Sequence, residues 1–191
     1  MTPHKQTISK ADAANQQLAV AIRMYLNGGD MVAIHTLACA AREIYEKHCQ
    51  MAAIKRFYDE IAATYPDSTQ KQIFDILNST RNFLKHPDAD GNLDAVIELS
   101  DRDNKLMLFV AAHDCACLFG DQTPVIVQAY NVWILATEPD LHGVCAAEME
   151  TRYPGLVNGS ADEQKAIGLR FLEDALSGKF LDTEGATIHQ S

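Results

Sequence analysis

Three places in this chain carry a serine followed three residues later by an acid: Ser9–Asp12, Ser100–Asp103 and Ser160–Glu163. In that arrangement the serine oxygen accepts from the backbone N–H three residues on. The acid reaches back to the serine's own N–H, so four residues specify a helix start twice over. Behind the boxes lie apolar residues spaced by three and four rather than by two. Ala14, Leu18, Ala21, Ile22 and Tyr25 share one face after the first box, and Ile167, Phe171, Leu172 and Leu176 share one after the last. Strands would need alternation, and little of the chain alternates. The pattern predicts an all-α fold.

Breakers divide the helices. Gly28-Gly29 ends the first, and Asp30 can cap a second with Ile34, Leu37, Ala38, Ala41, Ile44 and Tyr45 inward. So short a connection predicts an antiparallel helical hairpin. A third helix is expected over residues 52–64, with Ile54, Phe57 and Ile61 inward, stopping at Tyr65-Pro66-Asp67. Ser68 would cap a fourth, carrying Ile73, Leu77, Thr80 and Leu84 on one face. Pro87 ends it near His86, because proline disfavours the α region for its predecessor. The Ser100 box opens a helix to about Phe119, and Thr123-Pro124 starts another that ends before Pro139. Residues 141–152 are weakly helical, and the Ser160 box opens the last helix. The expectation is an up-and-down bundle of about six main helices in one domain, 1–191, a typical length for a single domain. Within it fall C-terminal helices over 123–177 and a flexible tail at 179–191.

Charge narrows the partners. Sixteen Lys and Arg against 26 Asp and Glu leave a formal charge of −10. With no basic run anywhere, no extended DNA-binding surface is expected, since phosphate contacts need clustered cations. The longest mostly apolar run, residues 106–119, contains His113 and Asp114 and is too short and polar to span a bilayer. The first twenty residues lack the apolar core of a signal peptide. Five cysteines, an odd number, then suit reduced thiols in a cytoplasmic protein.

The segment richest in chemistry is Arg81-Asn82-Phe83-Leu84-Lys85-His86. It gathers two cations, an amide and a titratable imidazole at one helix end. Arg81 and His86 lie about 140° apart on an ideal helix. They converge only if His86 leaves the helical path, or if two copies meet across a two-fold axis. An imidazole moves protons near neutral pH, and a guanidinium grips phosphate through two hydrogen bonds. The structural alternative is that Lys85 and His86 favour the negative end of the helix dipole while Arg81 makes a surface ion pair.

A helical bundle carrying Arg, Asn and, four intervening residues after the Arg, a His resembles the HEPN superfamily (higher eukaryote and prokaryote nucleotide-binding domains). Residues 13–48, two helices joined through Gly-Gly-Asp with Ile34-His35-Thr36-Leu37-Ala38, resemble the opening hairpin of HEPN-like bacterial proteins. The resemblance covers roughly residues 9–119. It implies a homodimeric, metal-independent endoribonuclease, a toxin or phage-defence component. Alternatively it implies a non-catalytic module that binds a nucleotide, an antitoxin or another defence partner. In the catalytic case His86 would be the general acid/base, Arg81 the phosphate clamp, Asn82 an orienting group and Lys85 an auxiliary cation on RNA. No cofactor is expected.

Other constellations carry less. His35/Cys39 and His113/Cys117 have spacing permitted for zinc ligands, though no metal is expected; a polar pocket of His35, Arg42 and His113 is the preferred arrangement. Asp88–Asp94 looks like part of a calcium loop, but the first and twelfth positions fall on His86 and Ile97. An acidic turn is the better reading. Cys145 with His142 lacks a third activating group. Trp133 and residues 125–136 suit either core or a buried subunit contact.

Overall fold

The computed structural model describes residues 5–86, 92, 94–138 and 145–179. These form eight α-helices and one short 3-10 turn, with no strand among the described residues. The fold is all-α. In order the helices are α1 (Lys10–Leu26), α2 (Met31–Met51), α3 (Phe57–Thr64), α4 (Gln70–Lys85), α5 (Asp101–Phe119), α6 (Val125–Thr137), α7 (Ala146–Arg152) and α8 (Ala161–Leu176). Eight replaces the expected six or so because α3 and α7 are short, at eight and seven residues.

All three serine boxes form. Ser9, Ser100 and Ser160 Oγ accept from the N–H of Asp12, Asp103 and Glu163 at 3.0, 3.2 and 3.4 Å. A fourth box, Thr69–Gln72, replaces the expected cap at Ser68, with glutamine doing what the acid does elsewhere. The third helix begins five residues later than predicted. Helix α2 runs on to Met51 and is ended by Ala53, whose φ of 56° lies in the left-handed region. At the start of α6, Thr123 does not cap: its hydroxyl donates to Gly120 O at 2.6 Å, and Pro124 takes the N-cap position. Of the 141–152 segment, 146–152 is helical, and 139–144 lie outside the described residues, as does the expected tail beyond Lys179.

The core is one continuous cluster drawn from α1, α2, α5, α6, α7 and α8. Trp133, Tyr25 and Tyr130 stand at its centre, with ring centroids 5.6 to 6.4 Å apart. The apolar segment of α6 is therefore core, with Ile126, Val127, Tyr130, Trp133 and Ile134 buried. Leu176, expected inward, is instead exposed at the end of α8.

Helices α3 and α4 sit outside this cluster and bury only Tyr58 and Ile73. Of the predicted α4 face, Leu77, Thr80 and Leu84 are only half-buried. Polar and aromatic links hold α4 instead: Phe74 stacks on Tyr58 at 4.8 Å, and Asn78 accepts from Arg42 of α2. A helix attached at an edge by few buried contacts is where a ligand can enter.

Candidate functional site

The Arg81–His86 segment forms the last turn of α4 and its cap. His86 is the C-cap, with φ −120° and ψ 84°, so it leaves the helical path as Pro87 requires. Its N–H still donates to Asn82 O at 3.0 Å, and its side chain is exposed. Arg81 Nη1 donates to Asn82 Oδ1 at 3.0 Å, and Arg81 Nε pairs with Glu43 of α2. Lys85 Nζ lies 3.6 Å from the other Glu43 oxygen. The ion pair foreseen for Arg81 is thus present, and one carboxylate holds both cations against α2.

Sequence reasoning missed Glu43. Its only signal is an acid on α2, and which helix faces α2 at that level is set by packing alone. The three groups carry one net positive charge, with Nε of Arg81 paired to Glu43 and Nη1 donating to Asn82.

The second feature is a partly open cavity of about 390 Å³ between α2, α4 and α5. His35, Ile76, Leu77, Asp103, Leu106 and Met107 are among its walls. His35 is 2% exposed. Its Nδ1 meets Asn104 Oδ1 at 3.1 Å, while Asn104 Nδ2 donates to Met31 O at 3.1 Å. The amide orientation is fixed by that second bond, so Nδ1 carries the proton and Nε2 presents a lone pair. Nε2 has no hydrogen-bond partner among the described residues.

Burial is the main influence on the His35 imidazole and pushes its pKa below the ordinary value, against the opposing Asn104 bond. The unfolded chain takes up this proton near pH 6.5, whereas the fold resists it. Below about pH 6.5 the unfolded state binds more protons, so stability falls as pH falls until the folded value is passed. The urea midpoint is expected to be lower at pH 5.5 than at pH 7.5, with a smaller difference in His35→Leu. An unchanged difference in that variant would assign the slope to other groups.

The predicted pocket of His35, Arg42 and His113 does not assemble as one. Arg42 lies seven residues beyond His35, about 10 Å along the helix, and there it donates to Asn78 and lies 3.6 Å from Glu46. His113 lies nine residues beyond Asn104 on α5, about 13 Å along the axis. It contacts Glu60 and Asp114 at 3.4 and 3.3 Å and packs against Phe57. Cys117 Sγ is 3.8 Å from His113 Nδ1, but no group of three metal-ligating side chains exists among the described residues.

Burial raises every thiol, to about 11 for Cys39 and Cys115 and about 12 for Cys49. Cys145 is raised too, which disfavours it as a nucleophile, and His142 lies outside the described residues. Of the calcium-like loop, only Asn92 and Asp94 are described. No described helix is long and apolar enough to cross a membrane. Compared with known proteins, the chain matches no family model, no curated protein and no solved structure.

Proposed function

We propose that this chain is a non-catalytic, HEPN-like helical module that binds a phosphate-bearing ligand, a nucleotide, at the C-terminal end of α4. The observation that carries the reading is the shared carboxylate: Glu43 draws Arg81 and Lys85 to one side of the helix end. Long cationic side chains lose rotamer freedom when they grip a ligand, and prior ordering lowers that cost. With Nε on Glu43 and Nη1 on Asn82, the guanidinium is anchored, and a phosphate oxygen would take Nη2 or displace the Asn82 amide from Nη1. Exposure limits the strength of the Glu43 pairs themselves.

The test is calorimetric titration of the full chain with ATP. Arg81→Gln and Lys85→Gln are each expected to weaken binding by about ten- to a hundredfold, since a charge-assisted hydrogen bond contributes about 1.5–3 kcal/mol. Affinity should fall with added salt. Equal affinity in wild type and both variants, or no binding at all, defeats the reading.

One observation favours a second reading, the metal-independent ribonuclease. His86 is exposed one residue beyond Lys85, at the end of the same helix, where two subunits could bring two imidazoles to one phosphodiester. Incubation with mixed RNA in EDTA separates the readings. Cleavage that persists in EDTA and disappears in His86→Ala selects the enzyme, and intact RNA with retained ATP binding selects the module.

A further inference from the structure

The cavity between α2, α4 and α5 is not used by the phosphate site. It offers acceptors and apolar surface, and no Lys or Arg lines it among the described residues. His35 is one of its walls, and its Nε2 is a buried lone pair with no hydrogen-bond partner among the described residues. A buried acceptor left unsatisfied costs free energy that a donor from a ligand would recover. The second acceptor is Asp103. Its Oδ2 is committed to the Ser100 box, accepting from Ser100 N and Oγ at 2.8 and 2.6 Å, while Oδ1 takes no part in that box.

The Ser100 bonds also hold the Asp103 carboxyl below its usual range, so it carries negative charge at neutral pH. Around these two acceptors the walls are mostly apolar, with the hydroxyls of Ser79 and Thr80 on the α4 side. Ile76 and Leu106, 77% and 42% exposed, stand at the opening. Single exposed apolar residues are ordinary, but two on facing helices at one cavity are surface that a ligand would cover. The volume, about 390 Å³, falls within the range of small-molecule sites.

We propose that this cavity is a binding site for a small organic amine, whose apolar body fills the space beneath Ile76 and Leu106 and whose ammonium group donates to His35 Nε2 and Asp103. Anionic ligands are disfavoured by the same lining, which separates this site from the cationic end of α4. An ammonium supplies three donors and no acceptor, the complement of an imidazole lone pair beside a carboxylate. A neutral alcohol can satisfy His35 but gains nothing from the charge of Asp103. A carboxylate of the same shape meets a lone pair and a like charge.

The experiment uses the full chain and three probes of matched shape: phenethylamine, 2-phenylethanol and phenylacetate. Ligands that bind only the folded state raise its melting temperature. Phenethylamine is expected to raise it and to bind at least tenfold more tightly than phenylacetate, with 2-phenylethanol between. Asp103→Asn should erase the advantage of the amine over the alcohol. Leu106→Trp, which fills the opening from a half-exposed position, should abolish the effect of all three, as should His35→Phe.

If His35→Phe does not fold, the other two variants still decide. No shift with any probe, as for a cavity that takes only water, overturns the proposal. So does phenylacetate binding as well as phenethylamine, or a shift that survives Leu106→Trp. ATP binding at Arg81 and Lys85 is read separately, so failure of either site leaves the other standing.

Discussion

Trp133→Ala is expected to destabilise the protein by about 3–5 kcal/mol, the range for removing a large buried aromatic. Natural domains have about 5–15 kcal/mol in total, so this one change removes a large share of the margin. Trp133 is 1% exposed and lies between Tyr25 and Tyr130. Its indole N–H donates to Gln164 O at 2.9 Å, which ties α6 to α8 across the centre of the core. The indole fits because residue 168 of α8 is glycine: a Cβ there would lie 2.5 Å from Nε1 and 3.0 Å from Leu26 Cδ2. Gly168→Val should therefore destabilise by about 1–3 kcal/mol through overpacking, despite the usual cost of glycine inside a helix. Urea denaturation monitored by tryptophan fluorescence for Gly168→Val, and by circular dichroism for Trp133→Ala, measures both. A Gly168→Val protein as stable as wild type would show that the indole can move aside.

The same residues show what the sequence discloses and what it withholds. Local chemistry was legible. The boxes at Ser9, Ser100 and Ser160 and the stop at His86 follow from hydrogen bonding and proline sterics within a few residues. Ala53 was not legible, because an alanine's own preference does not favour the left-handed region that its φ of 56° occupies. At the site, Arg81, Asn82, Lys85 and His86 stood out as a segment, but Glu43 did not. A segment is local; the pairing of α2 with α4 is not.

His35 and Arg42 do share a helix face, as their spacing of seven implies. Periodicity reports the face and ignores the distance along the axis, so it grouped residues that meet different partners. The role of Trp133 was open for a related reason. An apolar helix looks the same from its sequence whether its own chain or a second subunit covers it.

Asp114→Ala is expected to cost about 2–3 kcal/mol, with the loss concentrated in α3 and α4. Asp114 is 2% exposed on α5, and its Oδ1 accepts the N–H of Phe57 at 2.7 Å. Phe57 is the first residue of α3, so a buried anion meets the positive end of that helix. Alanine leaves this N–H without an acceptor, a cost of about 1–3 kcal/mol. His113, 3.3 Å from the same oxygen, loses its nearest carboxylate and keeps Glu60, Cys117 and its aromatic contacts. Helix α3 in turn supports α4 through the Tyr58–Phe74 stack. Loosening α3 should therefore raise hydrogen exchange across 57–85 while the protection of α1, α5 and α6 persists. Because Arg81 and Lys85 ride on α4, the ATP affinity proposed for that helix end should fall although neither residue has changed. Asp114→Asn keeps an acceptor for Phe57 and is expected to show less than half the loss. If exchange rises uniformly through all the helices, α3 and α4 are not the separable edge of the fold, and the route from Asp114 to the α4 site is lost with it.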